Sequence, residues 1–247
     1  MVASPRMPSL ARRLYDRMAV APNPFRFDPR LDRLVETLCA DEQPGFRVLN
    51  LGSGSTSYGA SVVNQDLFAF RGVHLCGDAH KLPFKDGVFA GMLLRGVLEH
   101  VRSADIVVAE ARRVLREGAF LYVEVPFLQP YHLSPEDYRR FTLPGLRAFL
   151  SDFTEEESGV QIGPGSTLAW VLRETVASVL AFGSPWVYRK ILTLVGWTTF
   201  WLRYLDRVAR PGPFVAHSAS AIYYLGRKRG GQAVAPLDVP RAGRSGA

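Results

Sequence analysis

Five short apolar runs follow one another between residues 46 and 125, punctuated by glycine, proline and aspartate: "FRVLNL" (46–51), "SVVNQD" (61–66), "GVHLCG" (72–77), "VFAGMLL" (88–94) and "AFLYVEV" (119–125). Runs of this length, bounded by turn formers, read as strands. Between the fourth and fifth lies "ADIVVAEARRVLRE" (104–117), in which Ile106, Val107, Ala109, Glu110, Val114 and Leu115 give a largely apolar helical stripe, with Gly118 as the expected stop. Strand, crossover helix and strand predict a parallel pair, so the expected fold is α/β with a mostly parallel sheet flanked by helices. "SAIYYLG" (220–226) reads as a last strand, and two helices, near 8–18 and 30–41, precede the first.

In such sheets ligands bind beyond the carboxyl ends of the strands, which draws attention to the turn "GSGSTSYG" after the first run. A phosphate loop needs GxxxxGK followed by Ser or Thr, but no lysine follows Gly54 until Lys81. A dinucleotide fingerprint needs a third glycine three residues after Gly54, where Ser57 stands. What remains is a Gly52-Ser53-Gly54 turn and Asp66 closing the second strand, a residue suited to accept hydrogen bonds from a ribose diol.

Two cysteines, Cys39 and Cys76, stand far apart and form no CxxC or Cys/His cluster, so no disulfide framework is expected and no metal ligand set is read. The N-terminal region lacks the apolar stretch of a secretory signal, and no uncharged apolar run is long enough to span a bilayer. The expectation is a cytoplasmic protein. The net charge of +7 is concentrated after residue 202, in a basic tail expected to be solvated from 229 to 247. With that charge away from the motifs, nucleic acid is not an expected partner.

The segments beyond the turn are more specific than the turn itself. "GDAHKLPFKDGVF" (77–89), "LLRGVLEHV" (93–101) and "EARRVLREGAFLYVEVPF" (110–127) succeed one another in an order that strongly resembles the class I S-adenosylmethionine-dependent methyltransferases, small-molecule and glycan-associated types in particular, over residues 46–153. The resemblance implies a Rossmann-like fold with S-adenosyl-L-methionine as cofactor. It implies cofactor contacts from Asn50, Gly52, Ser53, Gly54, Asp66, Asp78, Ala79, Leu82 and Arg95, with Pro83 and Phe84 beside Leu82 at the adenine and Leu94 to Gly96 below the sulfonium. Departures from the family pattern are Asn50 where Asp or Glu is usual, Ala90 after Phe89, and a short connection from Gly54 to Asp66 that leaves little room for a first crossover helix.

An acceptor hydroxyl must lose its proton, and His100, His132 and Asp137 are the candidate catalytic groups. For His100 a structural hydrogen bond in the "LEHV" turn is the equal alternative. The proline-punctuated "VPFLQPYHLSPEDYRRFT" (125–142) comes after the fifth strand and reads as the substrate loop, with Gln129, Tyr131, Tyr138 and Arg140 as candidate binding residues. A similar run occurs in methyltransferases associated with glycan assembly, which implies a small-molecule, glycan or lipid-linked sugar hydroxyl as acceptor.

Residues 161–228 read as a helical insert plus the last strand, completing one domain with a 1–45 cap and a 46–160 cofactor-binding core. Trp186, Tyr188, Trp197, Trp201 and Tyr204 beside Arg189, Lys190, Arg203 and Arg207 suit a membrane interface, so peripheral contact through residues 186–207 at the inner membrane face is one expectation. A cover over the acceptor pocket or a surface for self-association is the other. The competing functional class is a non-catalytic, membrane-surface-associated protein that keeps the fold.

Overall fold

A computed structural model of the chain describes residues 27, 30–40, 45–132, 135–209 and 214–230. The expected helix at 8–18 and the basic tail beyond 230 lie outside the described residues. In chain order the elements are α1 (Arg30–Cys39), β1 (Val48–Leu51), β2 (Val62–Asp66), β3 (Leu75–Cys76), β4 (Phe89–Arg95), α2 (Ala104–Val114), β5 (Leu115–Pro126), α3 (Leu143–Phe149), β6 (Phe153–Ile162), α4 (Pro164–Leu180), α5 (Pro185–Thr199), a 3-10 turn at Phe200–Tyr204, α6 (Leu205–Val208), a second 3-10 turn at Val215–Ser218, and β7 (Ala221–Lys228).

The strands form one seven-stranded sheet in the order β3-β2-β1-β4-β5-β7-β6. β1 pairs in parallel with β2 and β4, β2 with β3 and β4 with β5, whereas β7 is antiparallel to β5. This is the Rossmann-like class I arrangement that the resemblance implies. The order reverses at β1, so the carboxyl ends of β1 and β4 diverge around a crevice. The central strands are buried on both faces, as strands of a parallel sheet covered by helices must be. On one side Leu31, Leu34, Val35 and Leu38 of α1 pack with Val48, Leu93, Phe120 and Tyr122 of the sheet. Each such side chain contributes about 1.5–3 kcal/mol on burial. Gly91 is opposite Phe120, whose ring lies only 2.0 Å from where a Cβ would stand, so the small residue admits the large one.

Three details differ from the sequence expectations. The crossover helix ends at Val114, and its buried stripe is Ala104, Val107, Val108, Ala111 and Val114, leaving Ile106 exposed. Gly118 lies inside β5 at φ +73, where the register with β4 shifts, so it serves a bulge and not a helix stop. "FTEEESGVQI" forms β6, a strand not expected from the sequence, because the glutamates of an edge strand erase the apolar alternation.

Two compact units emerge among the described residues. One is the sheet unit, drawn from 30–127, 131–161 and 221–230, and the other is a helical unit, drawn from 27, 128–130 and 162–220. Within the helical unit, α4 begins at Pro164, and the buried Asp206 carboxylate accepts from the amides of Gly165 (2.6 Å) and Ser166 (3.1 Å) and from the Ser166 hydroxyl (2.6 Å). That satisfies donors a helix start leaves orphaned, with the charge at the favourable end of the dipole. Its outer surface is apolar: Phe182 is 90% and Trp186 69% exposed. Lys190 sits over the Trp186 ring, Arg203 over Phe200 and Tyr204, and Arg207 over Tyr204. No helix among the described residues is long and apolar enough to cross a membrane.

Candidate active site

β1 ends at Leu51 and the chain turns immediately. Gly52 and Gly54 adopt φ of +68 and +54, a region side chains with a Cβ enter only with strain. A Cβ on Gly52 would also stand 2.4 Å from Val97 Cγ2 in the turn after β4. The amides of Gly52 and Ser53 both donate to the Gln65 carbonyl, at 2.8 and 3.1 Å, and that of Gly54 to Asp66 Oδ2 at 2.8 Å. The turn therefore offers a ligand its bare Cα atoms more than its N–H groups. Asp66, nearly buried at the end of β2, also accepts from the Phe68 amide through Oδ1 at 3.0 Å, so each oxygen is oriented and keeps a lone pair.

At the end of β3, Asp78 Oδ1 accepts from the His80 amide (2.9 Å) and the His80 ring Nδ1 (2.6 Å). The backbone bond, then the ring bond, hold the Asp78 carboxyl below its ordinary value. Because Nδ1 carries the hydrogen toward a carboxylate, Nε2 is left as an acceptor, and it meets the Ser103 amide at 3.4 Å. The side chain of Asp78 is 64% exposed, with Oδ2 open to a ligand.

These groups line one cavity of about 530 Å³, within the range usual for cofactor and drug-sized ligands. Gly52, Gly54, Asp66, Asp78, Ala79, Gly96, His100 and Tyr138 are all in its wall. The lining also contains Leu67, Phe68, Phe70, His80, Val97, Arg102 and Glu136, which the sequence reading did not single out. A signal for the first three exists, since "LFAF" puts apolar residues into a turn straight after an acidic strand end, and Leu67 and Phe70 are indeed exposed there.

Other expected residues lie outside this wall. Asn50 is buried in β1, where Nδ2 donates to Asn64 Oδ1 (3.1 Å) and the Thr56 carbonyl (3.4 Å), tying β1 to β2. Ser53 is buried beside it. Arg95 donates to Glu124 Oε2 at 3.0 Å, next to it in the β4–β5 register. Leu82 is buried, and its amide donates to Glu110 of α2. Arg113, one turn on, bonds the Leu82 and Phe84 carbonyls, so the "LPF" and "EARRVL" motifs are one hydrogen-bonded unit. Gln129 falls in the helical unit and Tyr131 is exposed.

The segment after β5 is tied to the turn after β4. The Tyr138 amide donates to the Glu99 carbonyl (2.7 Å), the His100 ring donates through Nδ1 to the Glu136 carbonyl (2.5 Å), and Arg139 reaches the Val101 and Arg102 carbonyls. A carbonyl only accepts, so Nδ1 of His100 carries a hydrogen, and in the neutral ring Nε2 keeps the lone pair. That nitrogen lies 3.8 Å from Glu99 Oε1, and the His132 ring meets the His100 ring edge to face with centroids 5.0 Å apart. Asp137 pairs with Arg140 and accepts from the His132 amide at 2.8 Å. Burial would raise its carboxyl, but the bonds from Arg140 and His132 outweigh that and bring it down to about 2. Glu99 is 2% exposed, and burial pushes its carboxyl up to about 7.

Residues 55–123, from just past the glycine turn into β5, match a family model described as a methyltransferase domain. No curated protein matches the sequence. Among solved structures, the [4+2]-cyclase SpnF is similar at 18% identity and a TM-score of 0.52, over 90% of this chain and 93% of that one. Phosphoethanolamine N-methyltransferase 2 of Haemonchus contortus, solved with S-adenosyl-L-methionine, gives 17% identity and a TM-score of 0.54 over 87% of this chain and 56% of that one. This chain thus spans little more than half of that relative, and likeness at this identity speaks for the fold alone. The fit to the cofactor is carried by the site itself, where two carboxylates and a Cβ-free turn converge on a cavity of suitable volume. A methyltransferase domain is thus matched over residues 55–123, along much of the stretch that builds this cavity, and the sheet is wound in the manner of the class I S-adenosylmethionine-dependent methyltransferases.

Proposed function

We propose that the protein methylates a hydroxyl oxygen of a small-molecule or glycan acceptor, lipid-linked sugars included, and that the Glu99–His100–His132 cluster activates that oxygen. The supporting observation is that His100 stands in the wall of the cofactor cavity with the Nε2 lone pair left free by the bond from Nδ1 to the Glu136 carbonyl. S-adenosyl-L-methionine supplies a methyl group already activated on a sulfonium, so the chain's task is to align, exclude water and move one proton. Asp66 would hold the ribose diol, Asp78 Oδ2 the adenine amino group, and Leu67, Phe68 and Phe70 would screen the base from water. Tyr138, half-exposed at the rim, would meet the acceptor, while Arg140 and Asp137 hold the loop that carries it.

The helical unit would bring the protein to a membrane surface, where Trp186 and Phe182 enter the interface and Lys190, Arg203 and Arg207 face anionic headgroups. A non-catalytic reading is favoured by one observation: the amides of Gly52, Ser53 and Gly54 are all engaged internally.

Calorimetry with S-adenosyl-L-methionine on the wild type and Asp78→Ala separates the readings. Binding should weaken roughly tenfold or more in the variant, the scale of a hydrogen bond to a charged group. Incubation with candidate acceptors should yield a product heavier by one methylene group. Absence of heat from the wild type would end the enzymatic proposal.

A further inference from the structure

We infer that Glu99, His100 and His132 form a site for one divalent transition-metal cation, zinc by the character of its ligands, which takes the acceptor's hydroxyl oxygen as a further ligand. The inference rests on the cluster being the acceptor-activating site, as proposed above. One ligand atom from each residue lies within 4.8 Å of the others. The 3.8 Å between Glu99 Oε1 and His100 Nε2 is too long for a hydrogen bond. It is near the spacing of two ligands on one tetrahedral ion, roughly 3.4 Å for metal–ligand bonds of about 2.1 Å.

Two features of the surroundings point to a cation. Glu99 is almost wholly buried, and its Oε2 has no hydrogen-bond partner. A carboxylate removed from water in that state is costly unless something positive meets it. Both imidazoles, in addition, have an oxygen acceptor beside Nδ1: the Glu136 carbonyl at 2.5 Å for His100 and Asp137 Oδ2 at 3.6 Å for His132. The bond to the Glu136 carbonyl sets the His100 tautomer that presents Nε2 to a metal, the outer-shell arrangement metal-bound histidines use, while the 3.6 Å at His132 is beyond hydrogen-bond reach. Asp137 is in turn fixed by Arg140, and that pair is neutral as a unit.

Two histidines and one glutamate are the ligand set of an open zinc site, three protein ligands with the remaining position left for water or substrate. Magnesium, which prefers an all-oxygen shell, would not be favoured by two imidazoles. The charges agree: one carboxylate with a divalent ion leaves a single positive charge, which an alkoxide neutralises. On coordination the acceptor's O–H bond breaks, the electron pair stays on oxygen, and the proton passes to a solvent water.

Full-length protein carrying no histidine tag, stripped with chelator and titrated with zinc chloride in a calorimeter, tests the site. The expected result is one equivalent bound per chain, weakened tenfold or more in His132→Ala and in Glu99→Gln, with magnesium chloride giving no comparable heat. Far-ultraviolet circular dichroism and melting profiles like the wild type's report that both variants are folded, and the isosteric Glu99→Gln remains informative if His132→Ala misfolds. No zinc binding by the wild type, or undiminished binding by the folded variants, overturns the site while leaving the methyltransferase reading in place. Zinc bound as described by a wild type that does not bind S-adenosyl-L-methionine keeps the site and overturns that reading instead.

Discussion

At the scale of single residues, Gly52 and Val97 show how two turns depend on one missing methyl group. The glycine is needed twice over, for its φ of +68 and for the 2.4 Å that would separate a Cβ from Val97 Cγ2. Left-handed backbone costs a residue with a Cβ about 1–2 kcal/mol, and overpacking about 1–3 kcal/mol. Gly52→Ala is therefore expected to lower the melting temperature and to weaken S-adenosyl-L-methionine binding roughly tenfold or more, since both turns line the cavity; an unchanged melt and an unchanged isotherm would refute this account. Asp66 and Asp78 were legible in the sequence because each closes a strand, a local property. Asn50 illustrates the opposite case: the family resemblance implied a cofactor contact, while its Nδ2 donates to Asn64 and Thr56, partners visible only once β1 and β2 pair in register.

At the scale of elements, the start of α4 depends on an acid 40 residues further along the chain, Asp206, which accepts from Ser166 through both its amide and its hydroxyl. Asp206→Ala leaves those donors buried without a partner, at a cost of about 1–3 kcal/mol. Hydrogen exchange should show the first amides of α4 losing protection in the variant, and protection equal to the wild type would mean the cap contributes little. Strands rich in apolar residues were readable from 46 to 125, and α4 and α5 were readable as helices. β6 was not, because edge position lets Glu155 and Glu156 face solvent and cancels the pattern that identifies a strand. The end of α2 was misplaced for a related reason: Gly118 looks the same in sequence whether it stops a helix or opens a bulge.

At the scale of the whole molecule, the sheet unit carries the cavity and the helical unit carries the exposed aromatic and basic surface. If that surface meets lipid, the protein should pellet with vesicles containing anionic phospholipid and much less with neutral ones, and the double variant Trp186→Ala, Trp201→Ala should partition about tenfold less, as loss of large buried side chains implies. Equal recovery in the supernatant with and without anionic vesicles would refute the membrane role and leave self-association, tested by light scattering, as the use of that face.

Periodicity, turn chemistry and the order of motifs are properties of neighbours along the chain, and they alone determine the parallel sheet, the glycine turn and the acids at the strand ends. The meeting of Glu99 and His100 with His132, the lock of the His100 ring on the Glu136 carbonyl, and the clamp of Arg113 on the "LPF" segment join positions some thirty residues apart. The first two arise only when strand order and register bring the segments after β4 and β5 side by side, the third only when α2 packs beside the segment before β4, and no local pattern encodes which side chains then face each other.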